Sequence, residues 1–255
     1  MQLNYQQIGD QAKPSVFVMH GLFGSLENVN VVAKALSEHF NVINVDLRNH
    51  GRSFHDEQMS YPIMANDIKA IMDELKLEKI HLVGHSMGGK VAMQFAQLFP
   101  ESINKLVVLD IAPVDYHSRH DAIIAALNEV QKSDVSSRSE ADTIMSQYIE
   151  TVGVRQFLLK SLAKNEEGKL AWRFNLDVIT EKYDTITSNI NETHSCLCDT
   201  LFIKGNNSDY ILPEHRDAIA RFFPNARAKI IQGAGHWLHA EKPEAVNRSI
   251  IDFLQ

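Results

Sequence analysis

The chain has 255 residues, 44% of them hydrophobic and 22% charged, with a formal net charge of −7. That is the composition of a soluble globular protein long enough to bury a full core, and the negative balance, with no Lys/Arg block, argues against nucleic acid or anionic membrane as a main partner. No apolar run approaches the roughly 18 residues of a membrane span, and no basic-then-apolar leader opens the sequence, so a cytoplasmic, soluble chain is expected.

In chain order, Leu3 to Ile8 alternates and turns at Gly9-Asp10, which predicts a half-exposed edge strand. Val16–Met19 is a continuous apolar run, as in a strand buried on both faces, and it ends in His20-Gly21-Leu22-Phe23-Gly24-Ser25. Helical spacing follows over 28–37, then a strand, Val42–Asp46, and the polar loop Leu47–Ser53. The periodicity predicts an amphipathic helix over Met64–Leu75. Ile80-His81-Leu82-Val83 runs into Gly84-His85-Ser86-Met87-Gly88, behind which a helical pattern starts at once and is closed by Pro100. Leu106–Asp110 is another buried strand. From about Val114 to Ser195 the sequence shows no convincing strand, only short helical patterns at Ile123–Val130, Ile144–Ile149, Val154–Leu159 and Phe174–Ile179. Strand and helix then alternate again, with Leu201–Ile203, a helix opening at Pro213, Lys229–Ile231 and a last helix opening at Pro243.

Alternating strands and helices imply an α/β fold with a mostly parallel central sheet and helices on both faces. The all-helical stretch reads as a cap, or lid, inserted after the sixth strand. The expected organisation is a core of residues 1–113 and 196–255 with a cap of residues 114–195. Cys196 and Cys198 stand one residue apart, an awkward spacing for a disulfide and half of any metal site, so they read as free thiols.

A serine between two glycines at a strand-to-helix turn is held with its Oγ exposed above the sheet edge. This makes Ser86 the candidate nucleophile. Serine needs a base, oriented by a third group. His236, in Gly233-Ala234-Gly235-His236-Trp237 after the last strand, is the candidate base; His239 is the lesser one. For the acid, Asp110 and Asp209 both end strands between serine and histidine, and the residues alone leave the choice open. The oxyanion donors are expected at the N–H of Met87 and of Leu22, with His20 buttressing the latter's loop. Arg48 and Arg52 read as braces of that loop. Trp172-Arg173-Phe174-Asn175 reads as packing of cap onto core.

H-G-x-x-G after one strand, D-x-R-N-H-G-x-S after the next, G-H-S-M-G-G at the elbow and G-x-G-H-W near the end resemble the α/β-hydrolase superfamily across the whole sheet portion. More narrowly, residues 18–25, 46–51 and 110–116 resemble the bacterial esterase YbfF family. That resemblance implies hydrolysis of acyl esters or thioesters without metal or cofactor, and it implies Asp110, in the D-I-A-P segment, as the acid. Ser208 then stands near the usual acid station, where its hydroxyl is expected to support the pair formed by His236 and the acid. The expected partner is a small acyl ester or thioester of short to medium chain, and the expected state is a monomer or homodimer. The serine at the elbow argues against haloalkane and epoxide chemistry, which need a carboxylate there. Carbon–carbon bond hydrolase, perhydrolase, aminopeptidase and an idle ligand binder on the same scaffold are the alternatives.

Overall fold

The apolar runs become strands in the computed structural model, which describes residues 2–191 and 194–255. In chain order the strands are β1 (Tyr5–Ile8), β2 (Ser15–Met19), β3 (Asn41–Val45), β4 (Ile80–His85), β5 (Ile103–Leu109), β6 (Leu162–Lys164), β7 (Leu170–Trp172), β8 (Asp199–Gly205) and β9 (Ala226–Ile231). Seven of them form one sheet in the order β1-β3-β2-β4-β5-β8-β9. Only β1 runs antiparallel to its neighbour.

The helices are α1 (Asn30–Leu36), α2 (Tyr61–Glu74), α3 (Met87–Leu98), α4 (Asp121–Lys132), α5 (Arg138–Met145), α6 (Val152–Leu159), α7 (Leu176–Glu181), α8 (Tyr183–Thr187), α9 (Arg216–Phe222), α10 (Leu238–Glu241) and α11 (Pro243–Leu254). Because side chains alternate across a strand, each continuous apolar run feeds two cores. Phe17, Met19, Leu82, Leu106 and Val108 pack with α2 and α3 on one face. Val16, Val18, Val83, Val107 and Leu109 pack with α1 and α11 on the other. Strand order reverses between β2 and β4, so the loops leaving these two strands open a crevice at their carboxyl ends, the place where open α/β sheets bind ligands.

The structure corrects the expected insert in three respects. It follows the fifth strand of the chain, not the sixth, because the N-terminal stretch contributes only β1 before the Gly9 turn leads into β2. It is not all-helical: β6 and β7 form an antiparallel hairpin. Three-residue strands around a turn containing Asn165 and Gly168 are too short to show a period-2 pattern. Its second helix starts earlier than the apolar residues suggest, at Arg138, because the Ser137 side chain accepts the Glu140 N–H as an N-cap. The Phe174–Ile179 pattern becomes α7, capped in the same way by Asn175 on the Val178 N–H. Residues 192 and 193, near the end of the expected insert, and residue 1, which opens the stretch read for a leader, lie outside the described residues. Among the described residues no helix is long and apolar enough to cross a membrane.

Candidate active site

Ser86 is the single residue between β4 and α3, with φ 53° and ψ −117°. A non-glycine residue holds that conformation only when its surroundings over-determine it. Here the Ser86 N–H donates to Leu109 O at 3.0 Å, and Ser86 O accepts the Lys90 N–H at 3.1 Å. The flanking glycines are sterically required. A Cβ on Gly84 would lie 2.2 Å from Gly88 O, and one on Gly88 would lie 2.6 Å from both Met19 O and His20 O. The sharp turn therefore rests on α3 and β2 closing against bare backbone.

The loop after β9 brings His236 to this turn, 3.1 Å from Nε2 to Ser86 Oγ. On the other side of the ring, Nδ1 lies 2.8 Å from Asp110 Oδ2. An ionised carboxylate only accepts, so Nδ1 carries the proton, and Nε2 is left to accept the serine hydroxyl. Asp110 follows β5, is fully buried, and also has a left-handed φ of 54°. Its Oδ1 accepts the Gly205 N–H at 3.0 Å, and its Oδ2 also accepts the Ser208 hydroxyl. Burial pushes Asp110 up to about 6, against the lowering influence of the Ser208 and Gly205 bonds. Burial pushes His236 down, to about 3.

The second aspartate is elsewhere. Asp209 makes a bidentate pair with Arg119, 3.0 Å on each arm, and its side chain is 72% exposed. Of the two aspartates left open by the residues alone, only Asp110 touches the imidazole. His239 sits in α10, buried, with its ring 4.4 Å from that of His85 rather than at the serine.

Leu22 and Met87 line the cavity above Ser86. Met87 is the first residue of α3, where backbone N–H groups have no partner within the helix. The loop 20–24 is braced by two buried histidines. His20 Nε2 accepts the Leu47 N–H at 3.1 Å while Nδ1 donates to Gly21 O at 2.8 Å. His50 Nε2 accepts the Phe23 N–H at 3.2 Å while Nδ1 donates to Arg48 O at 2.9 Å. Burial lowers both, His50 to about 3, which keeps them neutral in this role. Arg48 pairs with Asp67 at 2.6 and 2.7 Å and donates to Gln58 O at 2.7 Å, inside the fold. Arg173 pairs with Glu27, and Phe174 packs between Trp172 and Phe23. Cys196 and Cys198 are free, with sulfurs 3.2 Å apart.

Three contributors escaped the sequence reading. Tyr210 stacks flat on His236, with ring centroids 3.7 Å apart; an aromatic residue beside the Ser208-Asp209 turn was the available sign. His85 donates from Nε2 to the backbone O of His236 at 2.8 Å, fixing the loop that carries it. Its place directly before the serine was the clue. Lys90, one helical turn after Ser86, is buried and reaches the carbonyls of Val114, Thr187 and Ser188. A lysine in a buried helix face gives no signal of what it holds.

Residues 14–243 match the family described as alpha/beta hydrolase fold. The chain is 46% identical over 240 residues to esterase YbfF of Escherichia coli, covering 94% of this chain and 92% of that one. It is 38% identical over 254 residues to the sn-1-specific diacylglycerol lipase ABHD11 of Mus musculus, covering 96% and 82%. Among solved structures, a marine microorganism esterase superposes with a TM-score of 0.95 at 38% identity, covering 99% of both chains. The chain belongs to the α/β hydrolase family, among the relatives of the bacterial esterase YbfF.

Proposed function

We propose that this protein is a serine esterase that hydrolyses acyl esters or thioesters of short to medium chain through an acyl-serine intermediate. The observation that carries this reading is the connected row Ser86–His236–Asp110, with hydrogen-bond contacts of 3.1 and 2.8 Å. Ser86 Oγ attacks the acyl carbonyl carbon as its proton passes to His236 Nε2. The N–H groups of Leu22 and Met87 receive the oxyanion. Asp110 stabilises the imidazolium, and His236 delivers the proton to the leaving oxygen or sulfur. Water then repeats the sequence on the acyl-enzyme and regenerates Ser86. No cofactor takes part in these steps. Ser208 supports the pair through its bond to Asp110.

In this reading residues 114–195 form a lid over the crevice. Tyr116, His120, Ile123, Phe157 and Tyr183 from that segment line the space above Ser86, which supports the assignment. The names of YbfF, ABHD11 and the marine esterase support ester chemistry as the activity.

Hydrolysis of p-nitrophenyl esters and labelling by a fluorophosphonate probe test the reading together. Wild type should turn over and label, and Ser86→Ala should do neither, losing on the order of 10⁴-fold or more in kcat. A wild-type protein that neither turns over nor labels would leave only a ligand-binding scaffold.

A further inference from the structure

The cavity at Ser86 has two chambers that share Leu22, Ser86, Arg119, His120 and Tyr210 as walls, and His236 lines the larger of them. The smaller, about 40 Å³, lies over Met87 and Lys90 and is walled by Tyr61, Ile111, Tyr116 and Ile186. The larger, about 220 Å³, includes His236 and is walled by Phe23, Ile123, Val154, Phe157 and Trp237. The leaving atom must accept its proton from His236 Nε2, so it departs on the side of the larger chamber. The acyl chain then has the smaller one.

The walls of the small chamber have their polar atoms engaged elsewhere. The Tyr61 hydroxyl donates to Ile186 O at 2.5 Å, and the Tyr116 hydroxyl donates to Tyr210 O at 2.6 Å. The Lys90 ammonium is turned onto three carbonyls, with Tyr116 and Tyr61 ring centroids 4.8 and 5.6 Å from Nζ. Of the other polar walls, Arg119 is paired with Asp209, His120 is bonded to the Tyr183 hydroxyl and the Thr187 hydroxyl donates to Tyr183 O, with His117 beside them, so ring and aliphatic surface predominates, suited to a short apolar chain. Val114 stands where the chain leaves the sheet, and Thr187 and Ser188 stand where it begins to return. One ammonium on α3, itself in the chamber wall, ties these two segments together.

We infer that this enzyme selects short acyl groups carried on bulky apolar alcohols or thiols, and that Lys90 sets the acyl limit by tying together the two segments of the insert at Val114 and at Thr187-Ser188. This rests on the serine-esterase reading above and adds the direction in which substrate lies.

Two substrate series test it. With p-nitrophenol constant, wild-type kcat/KM should fall about tenfold or more from butyryl to octanoyl. With acetyl constant, benzyl acetate should exceed ethyl acetate, whose alkoxide is of similar basicity. Lys90→Met should raise the octanoyl-to-butyryl ratio about tenfold and leave the benzyl-to-ethyl ratio in place. Phe157→Ala should do the reverse, lowering only the benzyl-to-ethyl ratio. A loss of fold would lower every substrate alike, so the ratios separate a positioning role from a structural one. Should Lys90→Met not fold, Ile186→Ala opens the same wall and should shift the same ratio. Preference of wild type for octanoyl esters, or acyl ratios unmoved in a folded Lys90→Met or Ile186→Ala protein, would overturn the inference. Absence of hydrolysis of every ester by wild type would instead remove the esterase reading beneath it.

Discussion

The ring of Tyr210 lies on the imidazole of His236 with planes 14° apart and centroids separated by 3.7 Å. The imidazole is thereby held against a flat wall while its two nitrogens face Asp110 and Ser86. Tyr210 is itself anchored, since its backbone N–H donates to Ser208 Oγ at 3.2 Å and its carbonyl accepts the Tyr116 hydroxyl. The wall and the acid's support thus come from one turn, Ser208-Asp209-Tyr210.

Removing that wall should free the imidazole to rotate away from Ser86. Tyr210→Ala is expected to lower kcat on p-nitrophenyl acetate by about tenfold, an effect of misplacement rather than lost chemistry. Tyr210→Phe keeps the stacked ring and should remain within about threefold of wild type. Equal losses in the two variants would assign the effect to the phenol hydroxyl and contradict the stacking account.

Ser208 donates to the carboxylate oxygen that also accepts from His236. Loss of one hydrogen bond to a buried charge is worth about 1.5–3 kcal/mol. Ser208→Ala should therefore reduce kcat by about tenfold, with KM little changed and the acid limb of the pH profile shifted upward, because the bond holds the carboxylate down. An unchanged kcat would remove Ser208 from the site's machinery.

The pH dependence follows from burial of the pair. The proposed mechanism requires an ionised Asp110 and a neutral His236, and uptake of one proton by the two together would disable the base. Burial raises Asp110 to about 6 and lowers His236. As pH falls through about 6 the pair takes up that proton, and kcat/KM should drop about tenfold per pH unit below it. Above about 6 the profile should be flat through neutrality. A limb centred well above 7 would show that the imidazole is not desolvated as described.

Much of this was readable in the residues because β2, β3 and β4 are buried on both faces and each ends in a distinctive loop. Gly84 and Gly88 mark the elbow by what a Cβ would strike. His236 is marked by its place after the last strand of an alternating pattern. Which aspartate meets the imidazole was not legible from local residues. Asp110 and Asp209 both end strands, and what separates them is the register of β5 on β8, which sets Asp110 against Gly205 and leaves Asp209 to Arg119. The hairpin of the insert was invisible because three-residue strands carry no period. Lys90 was invisible because its partner at Thr187 lies 97 residues away in sequence, and Tyr210 because its partner His236 stands on the loop beyond the next strand, β9.

The measurement that bears most directly on the central claim is kcat for p-nitrophenyl butyrate in wild type, Asp110→Asn and Asp209→Asn. The Ser86–His236–Asp110 row predicts a fall on the order of 10⁴-fold for Asp110→Asn, because an amide there no longer fixes the tautomer or stabilises the imidazolium. Asp209→Asn should stay within a few-fold of wild type, as expected for an exposed pair with Arg119. Collapse of Asp209→Asn with Asp110→Asn active would contradict the account, and the acid would have to be sought on the other strand.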